Sequence, residues 1–234
     1  MKTNKIILLN NLLKEEIRKY ENFTTDELKE KLRIDKNSKN LNRVIFNKII
    51  EISSNKDKIV KLLEECSCVI KTINLEWNNL LRESMSLNVF KYSDIYNESW
   101  ENSKLYKYFS ENTFVFVVFK KELKGSKLEN IKVWKMPDNI LNSGVKDTWC
   151  FTQSLIQSGK IVNYIDNRNR YITYFPTSSE TKFIHERPHA QNRDDTFELP
   201  VPDKLTGKTE FMKHSFWLNS NFVKKIVVED KYYE

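Results

Sequence analysis

The densest recognition chemistry in this 234-residue sequence lies towards its C-terminal end. There Lys182-Phe183-Ile184-His185-Glu186-Arg187-Pro188-His189-Ala190-Gln191-Asn192 is followed, after a polar stretch, by His214-Ser215-Phe216-Trp217-Leu218-Asn219. An arginine, two histidines, amides and a tryptophan thus surround a strand end fixed by a proline. A guanidinium bonds bidentately to O6 and N7 of guanine, an imidazole donates to or accepts from a base edge, and an indole packs on sugar or phosphate. The group is a candidate for reading duplex DNA, with Arg187, His189, Trp217, His185 and Asn192 as its side chains. Lys204, Lys208 and Lys213 stand near enough in sequence to add phosphate contacts that carry no sequence information. A purely structural use of the same residues is also open. In it His185 and His189 bond to backbone, Phe216 and Trp217 are core, and Arg187 pairs with Glu186 or Asp194.

These residues need a scaffold, and the apolar spacing outlines one. Ile7, Leu8, Leu12, Leu13 and Ile17 recur near the 3.6-residue helical period, and Thr24-Thr25-Asp26-Glu27 has the form of a capping box opening a helix through Leu28 to Leu32. A polar turn from Asp35 to Asn40 precedes a third helical stripe, Val44, Ile45, Ile49 and Ile52, ending near Ser53-Ser54-Asn55. From Cys68 the pattern changes to short β-branched and aromatic runs: Cys68 to Asn74, Thr113 to Lys120, Ile131 to Met136, Ile161 to Ile165, Tyr171 to Phe175 and Lys182 to Glu186. Between them Asn142 to Gly159 reads as a helix with Gly159 as its C-cap, Phe216 to Val227 as a final helix, and Gln191 to Gly207 as a long loop. The expectation is an α/β chain of the α+β kind: one domain over 1–234, with a helical layer over 1–60. A central mixed sheet over 61–234 carries a recognition loop over 182–219.

Composition bounds the function class. With 39% hydrophobic and 30% charged residues the chain has enough apolar material for a core, and its formal charge of +7 permits a polyanionic partner without requiring one. The apolar runs Ile6 to Leu9 and Phe114 to Phe119 are too short to cross a bilayer, and no leader pattern stands at the N-terminus, so a cytoplasmic protein is expected. Cys66, Cys68 and Cys150 cannot all pair, and Cys66-x-Cys68 is too tight for the usual zinc knuckle; reduced structural thiols and no metal site follow.

The C-terminal segments resemble the ending of MutH and of the type II restriction endonucleases that cut at GATC, the Sau-type family. Its members carry Arg-Pro-Lys or Arg-Pro-His, then Ala, x, Asn, and later a helix start of the form Phe-Tyr-Leu or Phe-Trp-Leu. Asp147-Thr148-Trp149 through Gly159 resembles the helix before that stretch, and Val69-Ile70-Lys71-Thr72-Ile73 the strand that bears the family's catalytic Glu-x-Lys. The resemblance runs with gaps from about Thr25 to Val227. It implies a MutH-like fold, base contacts from Arg187 and His189, and Trp217 at the DNA surface.

The same resemblance implies a decayed active site. Family enzymes cleave phosphodiesters with Mg²⁺ held by carboxylates and a lysine that orients or stabilises the attacking water. Here Val69-Ile70-Lys71 replaces Glu-x-Lys, and the family's spacing puts Leu62 where the other carboxylate belongs, with Glu64 and Glu65 out of phase; Glu51 matches an accessory acid. Val69, Lys71, Leu62 and Glu51 therefore read as a degenerate site without catalytic residues. The implied role is that of a non-catalytic C-terminal half inside a bacterial cell. It would bind duplex DNA containing GATC and regulate a catalytic MutH-like half, in the same chain or a separate subunit, which would carry the Mg²⁺; a homodimer is a further expectation. Two other readings stay open: an active Mg²⁺-dependent endonuclease with a migrated acidic site, and a subunit-interaction module that no longer binds DNA.

Overall fold

The computed structural model describes residues 2–21, 23–34, 40–123, 125–229 and 231. Most of the expected turn from Asp35 to Asn40 lies outside them. The N-terminal helices form for the reasons their sequence gives, with small rotations of the buried face. In α1 (Lys2–Arg18) the interior stripe is Leu9, Leu13 and Ile17, whereas Ile7 is 54% exposed. Helix α2 (Thr25–Lys31) opens on the expected capping box: Thr24 Oγ1 accepts from the Glu27 N–H at 3.3 Å, and the Glu27 carboxylate accepts from the Thr24 N–H at 2.7 Å. Helix α3 (Leu41–Glu51) buries Ile45, Phe46, Ile49 and Ile50, leaving Ile52 outside, and α4 (Lys56–Glu65) buries Ile59 and Leu62.

The chain continues through β1 (Cys68–Leu75), β2 (Met85–Phe90), α5 (Tyr92–Asn97), α6 (Lys104–Glu111), β3 (Thr113–Glu122) and β4 (Gly125–Trp134). A short α7 (Asp138–Ile140) passes through a π-helical turn, Leu141–Val145, into α8 (Lys146–Ser158). Then come β5 (Val162–Ile165), β6 (Tyr171–Thr173), β7 (Ile184–Pro188), β8 (Thr196–Glu198), β9 (Glu210–Met212), β10 (His214–Leu218) and α9 (Ser220–Val227). Gly159 caps α8 as expected, at φ 64°, with its N–H donating to Ile156 and that of Lys160 to Leu155.

Three expectations are corrected. The strands fall into four small sheets among the described residues, ordered β1-β3-β4, β2-β10-β7, β5-β6 and β8-β9, rather than one central sheet. Phe216, Trp217 and Leu218 lie in β10, and the final helix starts only at Ser220, because β10 is the middle strand paired with both β2 and β7. The stretch from Gln191 to Gly207 is partly ordered by β8, which pairs with β9. The mixture of helices and small sheets is of the α+β kind.

Two compact units emerge. The first comprises residues 1–82, 111–136 and 224–234, the second 83–110 and 137–223. In the first, β1 pairs parallel with β3 and β3 antiparallel with β4. Val115, Val117, Ile131 and Val133 of that sheet close a core with Leu9, Leu13, Phe46 and Leu62 from the helices. In the second, the β2-β10-β7 sheet buries Phe90, Ile184, Phe216 and Leu218, and α8 buries Trp149, Thr152 and Ile156.

Candidate nucleic-acid interface

In an antiparallel pair, residues opposite one another share a face, and neighbours along a strand alternate. Arg187 lies opposite Ser215 and His185 opposite Trp217, so His185, Arg187, Ser215 and Trp217 share one face of the β7–β10 pair. His189 continues that row: its N–H donates to the Lys213 carbonyl at 2.8 Å, and its Nδ1 meets Ser215 Oγ at 2.8 Å. The exposed Arg187 guanidinium sits 4.9 Å above the half-buried Trp217 ring, and the exposed His189 ring is 5.7 Å from it, tilted by 38°. Trp217 is therefore a platform under two polar heads, and cation–π contact with an indole contributes on the order of 0.5–1 kcal/mol at an exposed site. The fold brings together the arginine, histidine and tryptophan singled out from the sequence.

His185 stands apart from this group. It is 2% exposed, and its Nδ1 bonds to the Asn219 amide oxygen, which also has its amide N–H donating to the Thr181 carbonyl at 2.7 Å. Burial lowers the His185 pKa, with Arg187 adding to the effect and the Asn219 bond opposing it. The structure thus makes His185 an interior brace that ties β7 to the start of α9, instead of a residue at the surface.

The opposite face of the pair is lined by Ile184, Glu186, Phe216 and Leu218. Alternation alone puts Glu186 on the far side from Arg187, so the two do not pair. Glu186 is 5% exposed, and burial pushes its carboxyl up to about 8. Proton counting agrees. Thr152 Oγ1 lies 2.9 Å from the Thr148 carbonyl and also contacts Glu186 Oε1. A hydroxyl has one hydrogen, and the carbonyl can only accept it, so the Thr152–Glu186 contact is satisfied when a protonated Glu186 donates. His214 is likewise buried and neutral: its Nδ1–H donates to the Met212 carbonyl at 2.8 Å, the Tyr92 hydroxyl donates to the same oxygen, and burial depresses its pKa to about 4.

The flanking residues divide by exposure. Lys208 is exposed with its ammonium 5.2 Å over the Tyr171 ring, whereas half-buried Lys213 is ion-paired with Asp195 and lies 4.8 Å over the Phe197 ring. Hydrogen bonding to Lys213 lowers the Asp195 pKa, assisted by the Gln191 N–H. Asn192 is exposed but spends its amide oxygen on the Asp194 N–H at 2.9 Å, an Asx turn. Asp203, 1% exposed, anchors the loop before β9. Burial raises its pKa, but bonds from the N–H groups of Val162, Thr206 and Ile161 and from the Thr206 hydroxyl outweigh that and lower it.

No family model matches the chain. Among curated proteins, it is 30% identical over 243 aligned positions to the type II restriction enzyme Sau3AI of Staphylococcus aureus, an alignment covering 91% of this chain and 50% of that enzyme. The chain is similar to a type II restriction enzyme. It spans about half the length of that curated relative.

Against a restriction enzyme's chemistry, the first unit offers a poor metal site. Val69 and Lys71 share a face of β1 on which register places Phe114 and Phe116 of β3 and Lys132 and Trp134 of β4. None of those positions is acidic, and Lys71 has its pKa lowered first by burial and then by Arg43. Leu62 is buried in the helical core beside Val115 and Val117, on the sheet's other face from Lys71, so the two do not converge. Exposed Glu51 pairs with Lys48 at 3.0 Å, and Glu65 with Lys5 at 3.0 Å. Among the described residues no group of three His, Cys, Asp or Glu side chains is placed to hold a metal ion. The side chains on the Lys71 face do not fit Mg²⁺, which takes oxygen ligands.

Proposed function

We propose that this chain is a sequence-specific double-stranded-DNA-binding domain that reads GATC and serves as the regulatory, pseudo-nuclease half of a type II restriction endonuclease. The observation that carries the reading is the exposed pair Arg187 and His189, braced on Trp217 along one face of the β7–β10 pair. Rigidly held donors are what base-edge readout requires. The similarity to half of a restriction enzyme, with Val69 where a carboxylate would be needed, supports binding without cleavage. A second recognition element would raise local concentration at DNA and bias a catalytic half towards its active state, provided it binds cognate and random DNA differently. Lys208 would add a phosphate contact directly, whereas Lys213 would have to exchange Asp195 for phosphate.

The test is an anisotropy titration of labelled duplexes, one with GATC and one with the same bases permuted, in moderate salt with magnesium, followed by inspection of strand integrity. Tight binding to GATC with intact strands is expected. Arg187→Ala should cost roughly 1–3 kcal/mol of cognate preference. Equal weak binding to both duplexes would favour a protein-interaction module, and cut strands would restore the nuclease reading.

A further inference from the structure

The contact between Ser215 and His189 sets the polarity of the imidazole as well as its place. Ser215 is fully buried on β10, with its backbone in register with Val89 of β2 on one side and Arg187 of β7 on the other. Its Oγ lies 2.8 Å from Nδ1 of His189, whose ring is otherwise at the surface. A hydroxyl donates once and also accepts, while a neutral imidazole has one nitrogen of each kind. If Nδ1 carried the proton, Oγ would accept it, and the serine hydrogen would need another acceptor, yet the His189 ring is the one partner that Oγ has among the described residues. If Oγ–H donates to a bare Nδ1, one bond satisfies both groups, and the ring proton sits on Nε2. An unpaired buried donor is costly, so the second arrangement prevails.

We propose that Ser215 is a positioning residue that holds Nδ1 of His189 as an acceptor and so puts the ring proton on Nε2, from which the imidazole addresses hydrogen-bond acceptors on a base edge. The acceptors in the major groove are N7 and O6 of guanine, N7 of adenine and O4 of thymine; the amino groups of adenine and cytosine would be rejected. Beside Arg187, which only donates, His189 completes a two-donor reader. This rests on the β7–β10 face being the DNA interface.

The first measurement needs no DNA. Long-range ¹H–¹⁵N correlation spectra of the labelled protein, which has three histidines, report the tautomer of each ring. His189 should be Nε2–H in the wild type, mixed in Ser215→Ala and restored in Ser215→Thr; an Nδ1–H ring in the wild type, or no change in Ser215→Ala, overturns the assignment. In duplex binding, Ser215→Ala should lower the GATC-to-permuted affinity ratio about fivefold, with recovery in Ser215→Thr, as expected for losing the order of one base contact. A ratio that falls in His189→Ala but not in Ser215→Ala refutes the positioning role and leaves the interface standing. Ratios unchanged in both His189→Ala and Arg187→Ala remove the interface itself, and the base-edge assignment with it.

Discussion

Replacing Glu186 by glutamine should abolish a pH dependence of stability that the wild-type protein carries. Glu186 is 5% exposed, its Oε1 contacts Thr152, and its Oε2 has no hydrogen-bond partner among the described residues. Its carboxyl, ordinarily near 4.5, titrates at about 8 because burial penalises the anion. A group whose folded pKa is raised contributes fully below its unfolded pKa and loses that contribution as pH rises through the folded one. Between pH 4.5 and 8 the unfolded chain releases a proton that the folded chain keeps, so the wild type should lose stability by about 1.4 kcal/mol per pH unit, on the order of 5 kcal/mol in all. That is a large part of the 5–15 kcal/mol typical of a domain. Urea denaturation of wild type and Glu186→Gln at a series of pH values isolates the effect, because the other titrating groups are common to both proteins. The difference should be smallest near pH 8 and above, or favour glutamine there, and should favour the wild type progressively towards pH 5. Parallel stability curves from pH 5 to 8.5 would mean that Glu186 is not a neutral buried acid, and the proton count at Thr152 would be wrong.

Two further substitutions probe how the scaffold is held. Gly159→Ala should destabilise the protein by about 1–3 kcal/mol in thermal or urea unfolding, since the site has φ 64° and an added Cβ would lie 2.6 Å from the Pro202 carbonyl oxygen. Asp203→Ala should cost about 3 kcal/mol by stranding two buried backbone N–H groups, of Ile161 and Val162, and the part-buried N–H and hydroxyl of Thr206. Because the folded pKa of Asp203 is lowered, its contribution should be present above about pH 4 and fade as pH falls, which denaturation in acid would show.

Local rules carried the reading where they act locally, and failed where pairing at a distance decides. The capping box at Thr24 and the αL cap at Gly159 are backbone chemistry of a few adjacent residues, and both stand as read. Phe216-Trp217-Leu218 is a short apolar run that periodicity cannot assign; β2 and β7 on either side of it make it a strand. In strand β2 the alternation of Met85, Leu87 and Val89 is not the buried pattern: a register shift between Ser215 and Trp217 changes the phase, so that Leu87 and Phe90 are buried and Val89 is 37% exposed. Arg187, His189 and Trp217 were legible as a group. That Glu186 faces inward was available from alternation along β7, whereas Ser215 and Thr152 carry no sequence signal: their roles arise from one buried oxygen meeting a neighbour remote in the chain.

Lys71 offers the sharpest test between a decayed and a migrated metal site. A lysine kept beside carboxylates serves cleavage, but this one lies on a sheet face with Val69, Phe114, Phe116 and Lys132 at the register positions around it. Its charge is already disfavoured by burial and by Arg43, and a second lysine on the same face, Lys132, is 5% exposed. Bringing a divalent cation there would set further positive charge beside Lys71 and Lys132. Magnesium should therefore leave the melting temperature unchanged, since a ligand that does not bind the native state cannot stabilise it by mass action. A magnesium-dependent rise in melting temperature that Lys71→Met abolishes would refute this reasoning and place a working cation site at β1.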